Sequence, residues 1–369
     1  MAVYTTIDDP SAFHQNDTYT GNGSDGTAKT FSGNSNLLPG LLYMHKTAPS
    51  APSGGIMTTS HPDVGIGRSW IRGSTPSATD SIVNSFDSDG YTLGGSMNGT
   101  YYSNQSSSSY AVAAWKTGGT SATSNSDGDI TSSVVVDTTM GLSLVKYTGN
   151  GTDNQTIGHG LGKRPQACWI YPIDLNSTQR PWWWEANDDG YAISNGLNDS
   201  SNAQENDLNG TVSAHSSGEG TTSIFTVSQQ NSSYDNTNKS GSNYLAVVWT
   251  GIQGFSKFGS YIGNGNANGM FVYTGFKPAT VIIRNMDAAA SVNNYDNGRD
   301  PTNEMDGAIN WTDMQLELSD SNTKVDFLSN GFKIRTSGAA VNGNNQTIGY
   351  CAWAESPLVT STGIPTTAR

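Results

Sequence analysis

Three kinds of apolar segment recur along the chain in a fixed order. "GLLYM", "ACWIY" and "TVIIR" each follow a proline, at Pro39, Pro165 and Pro278. Proline cannot donate to a strand ladder, so it suits the start of such a strand. Further on, "VNSFDSDGYTLG" and "VDFLSNGFKIR", with the looser "TSIFTVS" between them, place β-branched and aromatic residues around polar turns. The runs "YAVAAWK", "YLAVVWT" and "YCAWAE" close the three sets, so that Trp115, Trp249 and Trp353 fall in register. The pattern predicts an all-β chain of three tandem β-sandwich, jelly-roll-like units of roughly 95 to 105 residues each. Solenoid repeats are shorter, roughly 20 to 50 residues, so the expected arrangement is a string of small β domains.

Each set opens on Tyr-x-Gly-Asn-Gly, beginning at Tyr19, Tyr147 and Tyr261. In the first copy Gly26 completes a G-x-G-x-x-G, the spacing that cradles a dinucleotide pyrophosphate where a strand runs into a helix. The later copies lose that third glycine, and strand-and-turn sequence rather than a helix follows all three. What remains is a hairpin turn in which Gly21, Gly23, Gly149, Gly151, Gly263 and Gly265 are structural, glycine and asparagine both accepting positive φ.

Composition points the same way. Charged residues make up 13% of the 369 positions, and the abundance of Gly, Ser, Thr and Asn disfavours long helices. A net charge of −13, with no cluster among the 18 basic residues, argues against nucleic acid as a partner. Cys168 and Cys351 stand in different copies, which suits two buried thiols better than a disulfide framework. No apolar run is long enough to span a membrane, and "MAVYTTIDDPSAFHQ" lacks the basic start and apolar run of a secretory signal.

Candidate chemistry is sparse. "DSDG", with Asp87 and Asp89, looks like the start of a calcium loop, but the third copy reads "LSNG", which keeps the turn and drops the carboxylates. "NDDG" near Asp188 carries no glutamate at the spacing an EF-hand needs. His159 sits in "GHGLGKRP" without a counterpart in the other copies and without a serine elbow, which reads as a turn histidine. Five scattered histidines show no metal spacing, and Glu185, Asp188 and Asp189 do not recur as a catalytic carboxylate set would if every unit carried one. No metal, cofactor or catalytic residue is therefore expected. The sharpest local feature is Trp182, Trp183 and Trp184, three indoles that a strand cannot bury on one face. Together with Trp311 they are the candidate contacts for a surface glycan, the competing role being core or interface packing.

Several long blocks resemble the repeated domains of fibre-type virion proteins in tailed bacteriophages of marine bacteria. They are "YTGNGTDNQTIGHGLGKRPQ", "DGDITSSVVVDTTMGLSLVKYTGNGT", "IQGFSKFGSYIGNGNANGMFVYTGFKPATVIIRN", "VDFLSNGFKIRT" and the opening "YTTIDDPSAFHQ". The middles "RPWWWEAND" and "NYDNGRDPTNEMDGAINW" depart most from that pattern. The resemblance implies a non-enzymatic virion structural protein, foremost a tail fibre or spike that meets the host. A capsid decoration protein or head fibre is the first alternative and a glycan depolymerase the second. It also implies a homotrimer, contact with other virion proteins through an N-terminal peptide at 1–17 that orders on its partner, and host surface glycan as a further partner. The expected units span 18–118, 144–251 and 258–355. A linker at 119–143 is able to form a hairpin, a short linker occupies 252–257, and a tail runs over 356–369.

Overall fold

The structure, a computed structural model, describes residues 4–48, 55–66, 69–71, 82–94, 103–174, 182–184, 191–193, 220–227, 237–288, 290–310, 318–319 and 322–366. Strands dominate it, and the helical elements among these residues are the short turns Pro10–Ala12 and Ala339–Asn342. Three large antiparallel sheets share one strand order. In the first, His14–Thr20 pairs with the closing strand Ser109–Lys116, which pairs with the proline-led Pro39–Ala48, followed by Ile56–Thr59 and Ser69–Ile71. In the second, Leu142–Thr148 pairs with Asn243–Trp249, then Ala167–Pro172, Trp182–Trp184 and Tyr191–Ile193. In the third, Ser256–Ile262 pairs with Thr347–Pro357, then Phe276–Asn285, Asn293–Asp296, Gly307–Asn310 and Leu318–Ser319. Small sheets accompany them: Thr27–Thr30, Gly90–Leu93 and Val83–Asp87; Gln155–Gly158 and Ile224–Val227; Phe271–Tyr273, Gly331–Ile334 and Val325–Leu328.

The alternation along the closing strands explains their uniform apolarity. Tyr110, Val112 and Ala114 share a core with Val83, Tyr91 and Leu93 of the small sheet, which makes the first pair sandwich-like. In the second, Tyr244, Ala246 and Val248 pack in the same way with Ile157, Phe225 and Val227. The alternate residues, Ala111, Ala113 and Trp115 with Leu245, Val247 and Trp249, join Ala352 and Trp353 in a core common to all three large sheets. A strand buried on both faces has no position for a polar side chain.

The three sheets are therefore not beads on a string. Trp115, Trp249 and Trp353 form a triangle with ring centroids 5.8, 5.2 and 5.1 Å apart and interplanar angles of 66°, 62° and 66°. Edge-to-face pairs of this kind place positive ring edges against negative ring faces and add about 0.5–1.5 kcal/mol each beyond area burial. Trp169 lies 5.7 to 6.4 Å from all three. Four indoles are thus packed together inside one chain.

The intervening segments are used in the same way. Thr123–Asn125 and Ser132–Asp137, from the expected 119–143 linker, extend the edge of the second sheet, and Ser132–Asp137 forms its hairpin with Leu142–Thr148. Ile252 and Phe255 of the short linker are buried in the common core. The N-terminal residues differ from the expected free peptide: Ile7 is buried in that core, the Tyr4 hydroxyl donates to the Gly275 carbonyl (2.7 Å), and the first strand already starts at His14. An apolar side chain that completes a core inside the chain has no need of a partner to order it.

Because one core serves three sheets, they should unfold together. Trp353→Ala should cost about 3–5 kcal/mol, the usual range for deleting a buried indole, and shift one cooperative transition. Calorimetry would count against the common core if it resolved separate transitions with only one of them displaced.

Candidate functional site

The Tyr-x-Gly-Asn-Gly residues are not hairpin turns. The strand before each pairs with the closing strand of the large sheet, while the strand after it belongs to the small sheet, so the glycines sit in the arch between the two. Each arch is clasped by an asparagine from the segment ahead of the closing strand, which for Asn342 is the end of the helical turn Ala339–Asn342. Asn22 N donates to Asn104 Oδ1 (2.9 Å), Asn150 N to Asn238 Oδ1 (3.0 Å) and Asn264 N to Asn342 Oδ1 (2.9 Å). The clasping Nδ2 groups return to Oδ1 of Asn22, Asn150 and Asn264 and reach on to the carbonyls of Ser24, Thr152 and Asn266. All three clasping asparagines are fully buried.

The two glycines of each arch differ in role. Gly23, Gly151 and Gly265 have φ of 77°, 77° and 61°, the left-handed region. Gly21, Gly149 and Gly263 lie so close to the opposing loop that a Cβ would stand 2.3, 2.4 and 2.3 Å from a backbone oxygen. The tyrosines cooperate: Tyr147 and Tyr261 donate to the carbonyls of Thr237 (2.7 Å) and Val341 (2.6 Å), and Tyr19 to that of Ser103. Tyr19 stacks on Tyr110 and Tyr147 on Tyr244.

The other candidates are tied into the fold. Asp87 accepts from Ser85 and Thr92 hydroxyls at 2.8 Å each, and Asp89 from Leu37 N (3.1 Å), so the "DSDG" carboxylates hold their own turn and a neighbouring loop. Among the described residues no three His, Cys, Asp or Glu side chains gather as a metal site would need. His159 accepts from Leu161 N at Nδ1 (3.1 Å) and donates from Nε2 to the Thr221 carbonyl (3.2 Å). His61 repeats this with Asp63 N and the Ser133 carbonyl, tying the first sheet to the second. Cys168 and Cys351 are buried and not disulfide-bonded, and burial pushes the Cys168 thiol well above its usual range. Trp182, Trp183 and Trp184 form a strand opposite Trp169, Cys168 and Ala167, and Trp311 lies outside the described residues.

His14 is the polar guest of the common core. Its ring stacks on Trp115 (5.0 Å) and lies 6.0 Å from Trp353. Nδ1 donates to the Ala114 carbonyl (2.9 Å), and Nε2 faces Thr280 Oγ1 at 2.8 Å. Thr280 Oγ1 also stands 2.9 Å from Asn16 Oδ1, whose amide group already donates to Ala279 O and Asn297 Oδ1. With a neutral imidazole the single Thr280 proton has two acceptors to serve. A proton on Nε2 would satisfy both contacts, but burial opposes it and holds the pKa down to about 4, against the Ala114 hydrogen bond and the field of Asp296. Asp296 is itself paired with Arg299 at 2.7 Å.

These features define an all-β, sandwich-like protein with three clasped arches around one indole core. The chain belongs to the family described as a domain of unknown function, DUF7483, whose model matches residues 9–357. No curated protein and no solved structure matches it. Among the described residues no helix is long and apolar enough to cross a membrane.

The clasping asparagines escaped the sequence reading. Their signal is an asparagine six residues before the closing tyrosine at Asn104 and Asn238, and eight before it at Asn342. Asn104→Ala should cost about 2–4 kcal/mol, since it strips several buried hydrogen bonds and leaves a donor and acceptors unpaired, whereas exposed Asn84→Ala should be close to neutral. Urea denaturation of the two variants checks this.

The sign of the pH dependence follows from His14. Its folded pKa of about 4 lies below the unfolded value near 6.5, so the unfolded chain binds the proton first. The contribution is complete above pH 6.5 and is lost as pH falls from about 6.5 towards 4, about 3 kcal/mol in all. His61 and His159, lowered chiefly by burial, act in the same direction. Denaturation midpoints should fall across that window, and His14→Gln should flatten the slope; a slope unchanged in that variant would place the titration elsewhere.

Proposed function

We propose that this chain is a structural protein of a tailed-phage particle, foremost a fibre or spike component that meets the host surface. The observation that carries the reading is the fusion of three sandwich-like pairs through one indole core. It makes a body that resists local opening, as a component exposed to proteases and shear requires. The resemblance of its long blocks to fibre-type virion proteins supports the same role. So does the use of His14, His61 and His159 in internal contacts rather than in an open cleft.

Host contact is assigned to the middles of the second and third sets, with Trp182–Trp184 and Trp311, because the arches and closing strands are constrained on every side while these middles depart most from the recurring pattern. Contact with other virion proteins is assigned to the N-terminal segment, presented as part of the folded body through Tyr4, Ile7 and the strand from His14. Mass spectrometry of purified particles should find the chain at constant stoichiometry, and antibody labelling in electron micrographs should place it on the tail. Label on the head would favour decoration. A chain confined to the soluble fraction of infected cells would overturn the proposal.

A further inference from the structure

Where the second and third large sheets meet, a cleft of about 660 Å³ opens between the start of Ala167–Pro172 and the strand Ser256–Ile262. Lys163, Arg164 and Lys257 line it together with Gln166, Thr250 and Ser260. No carboxylate lines it among the described residues, in a chain whose net charge is −13. The equivalent positions show that this is particular to the second set. The residue before the strand-leading proline is Leu38, Arg164 or Lys277. Leu38 lines a smaller cleft of about 310 Å³ that holds both Lys116 and Asp137, and Lys277 is paired with Glu355 at 2.7 Å.

The chemistry of the lining points to a ligand. Lys257 is partly buried, and that burial lowers its pKa; its Nζ donates to the Tyr273 carbonyl (2.7 Å), which uses one of its three N–H bonds. A half-desolvated ammonium binds an arriving oxyanion more strongly than one in open water. Gln166 takes the Gly251 N–H on Oε1 (2.6 Å), which leaves its amide donors, and the Thr250 hydroxyl donates to the Arg164 carbonyl (3.0 Å), which leaves its lone pairs. The volume is that of a pocket for a small organic molecule, well beyond one inorganic ion.

We propose that this cleft binds an acidic saccharide unit, its carboxylate or sulfate held by Lys163 and Lys257 and its hydroxyls by Gln166 and Ser260. The cleft is a surface distinct from the tryptophan-bearing middles, and the proposal rests on the host-contact reading only for the source of the ligand. The test is a calorimetric titration of the purified chain at low salt with a uronic acid oligosaccharide, a neutral oligosaccharide of equal length and sodium sulfate. The acidic sugar should bind and the neutral one should not. Sulfate should be at least about tenfold weaker than the acidic sugar, a gap of about 1.4 kcal/mol. Lys163→Glu, at an exposed position, should weaken the acidic sugar tenfold or more with the melting temperature kept, and Lys257→Gln should also weaken it. Lys116→Glu in the smaller cleft should leave it unchanged. Lack of binding by the acidic sugar, equal binding in both folded cleft variants, or sulfate as strong as the sugar would each overturn the proposal. Since the purified chain is the reagent, failure here leaves a particle location standing, and absence from particles leaves a positive titration standing.

Discussion

The indole triangle at Trp115, Trp249 and Trp353 is the contact through which the three large sheets become one body. Each indole ends the apolar run of a closing strand, and each closing strand lies between the opening strand and the proline-led strand of its set. The register places two neighbours beside each ring: His14 and Leu41, Leu142 and Ala167, Ser256 and Thr280. A large aromatic flanked by smaller side chains can approach its two counterparts closely. The arrangement also explains why His14 is tolerated there. Its ring stacks as an aromatic on Trp115, and its nitrogens meet Ala114 and Thr280 across the seam between the first and third sheets. The cost is an imidazole held neutral by its surroundings.

If the triangle joins the sheets, the asparagine clasps hold each large sheet to its small partner. They lie at the opposite end of the closing strand from the indole, so each closing strand is fixed at its start by Asn104, Asn238 or Asn342 and at its end by the triangle. Glycine is required in these arches by two different constraints. One is the positive φ of Gly23, Gly151 and Gly265; the other is the near-contact of Gly21, Gly149 and Gly263 with an opposing carbonyl. A side chain at Gly21, Gly149 or Gly263 would meet backbone, which cannot move aside without breaking the clasp.

Much of this was legible in the sequence because it is local. The proline-led strands, the closing strands and the turn at Asp87 lie where the apolar pattern places them. The arches differ from the hairpins that Gly-Asn-Gly suggests at short range, and only the pairing of His14–Thr20 with Ser109–Lys116 shows that the chain crosses between sheets. The common core was illegible for a related reason. A strand buried on one face by its own small sheet and on the other by neighbouring sets reads simply as apolar, with nothing to say what covers the second face. The N-terminus shows the same limit, since Tyr4 and Ile7 are held by partners that lie far along the chain. Of the glycan candidates, the strand Trp182–Trp184 has a register opposite Ala167–Trp169 and Trp311 lies outside the described residues.

The fusion of the sheets also bears on where recognition can reside. A cleft lined from two sheets keeps its shape only if the sheets hold a fixed relation, and a chain of freely hinged sandwiches would lose it with every swing. Here Lys163 and Lys257 come from different sets, and Ile252, Phe255 and Phe258 between and beneath them are buried in the common core. The indoles that stabilise the body therefore also set the spacing of the two cations, although none of them touches the cleft. A variant that loosened the triangle without unfolding the chain should weaken anion binding through lost preorganisation while leaving the cationic residues in place.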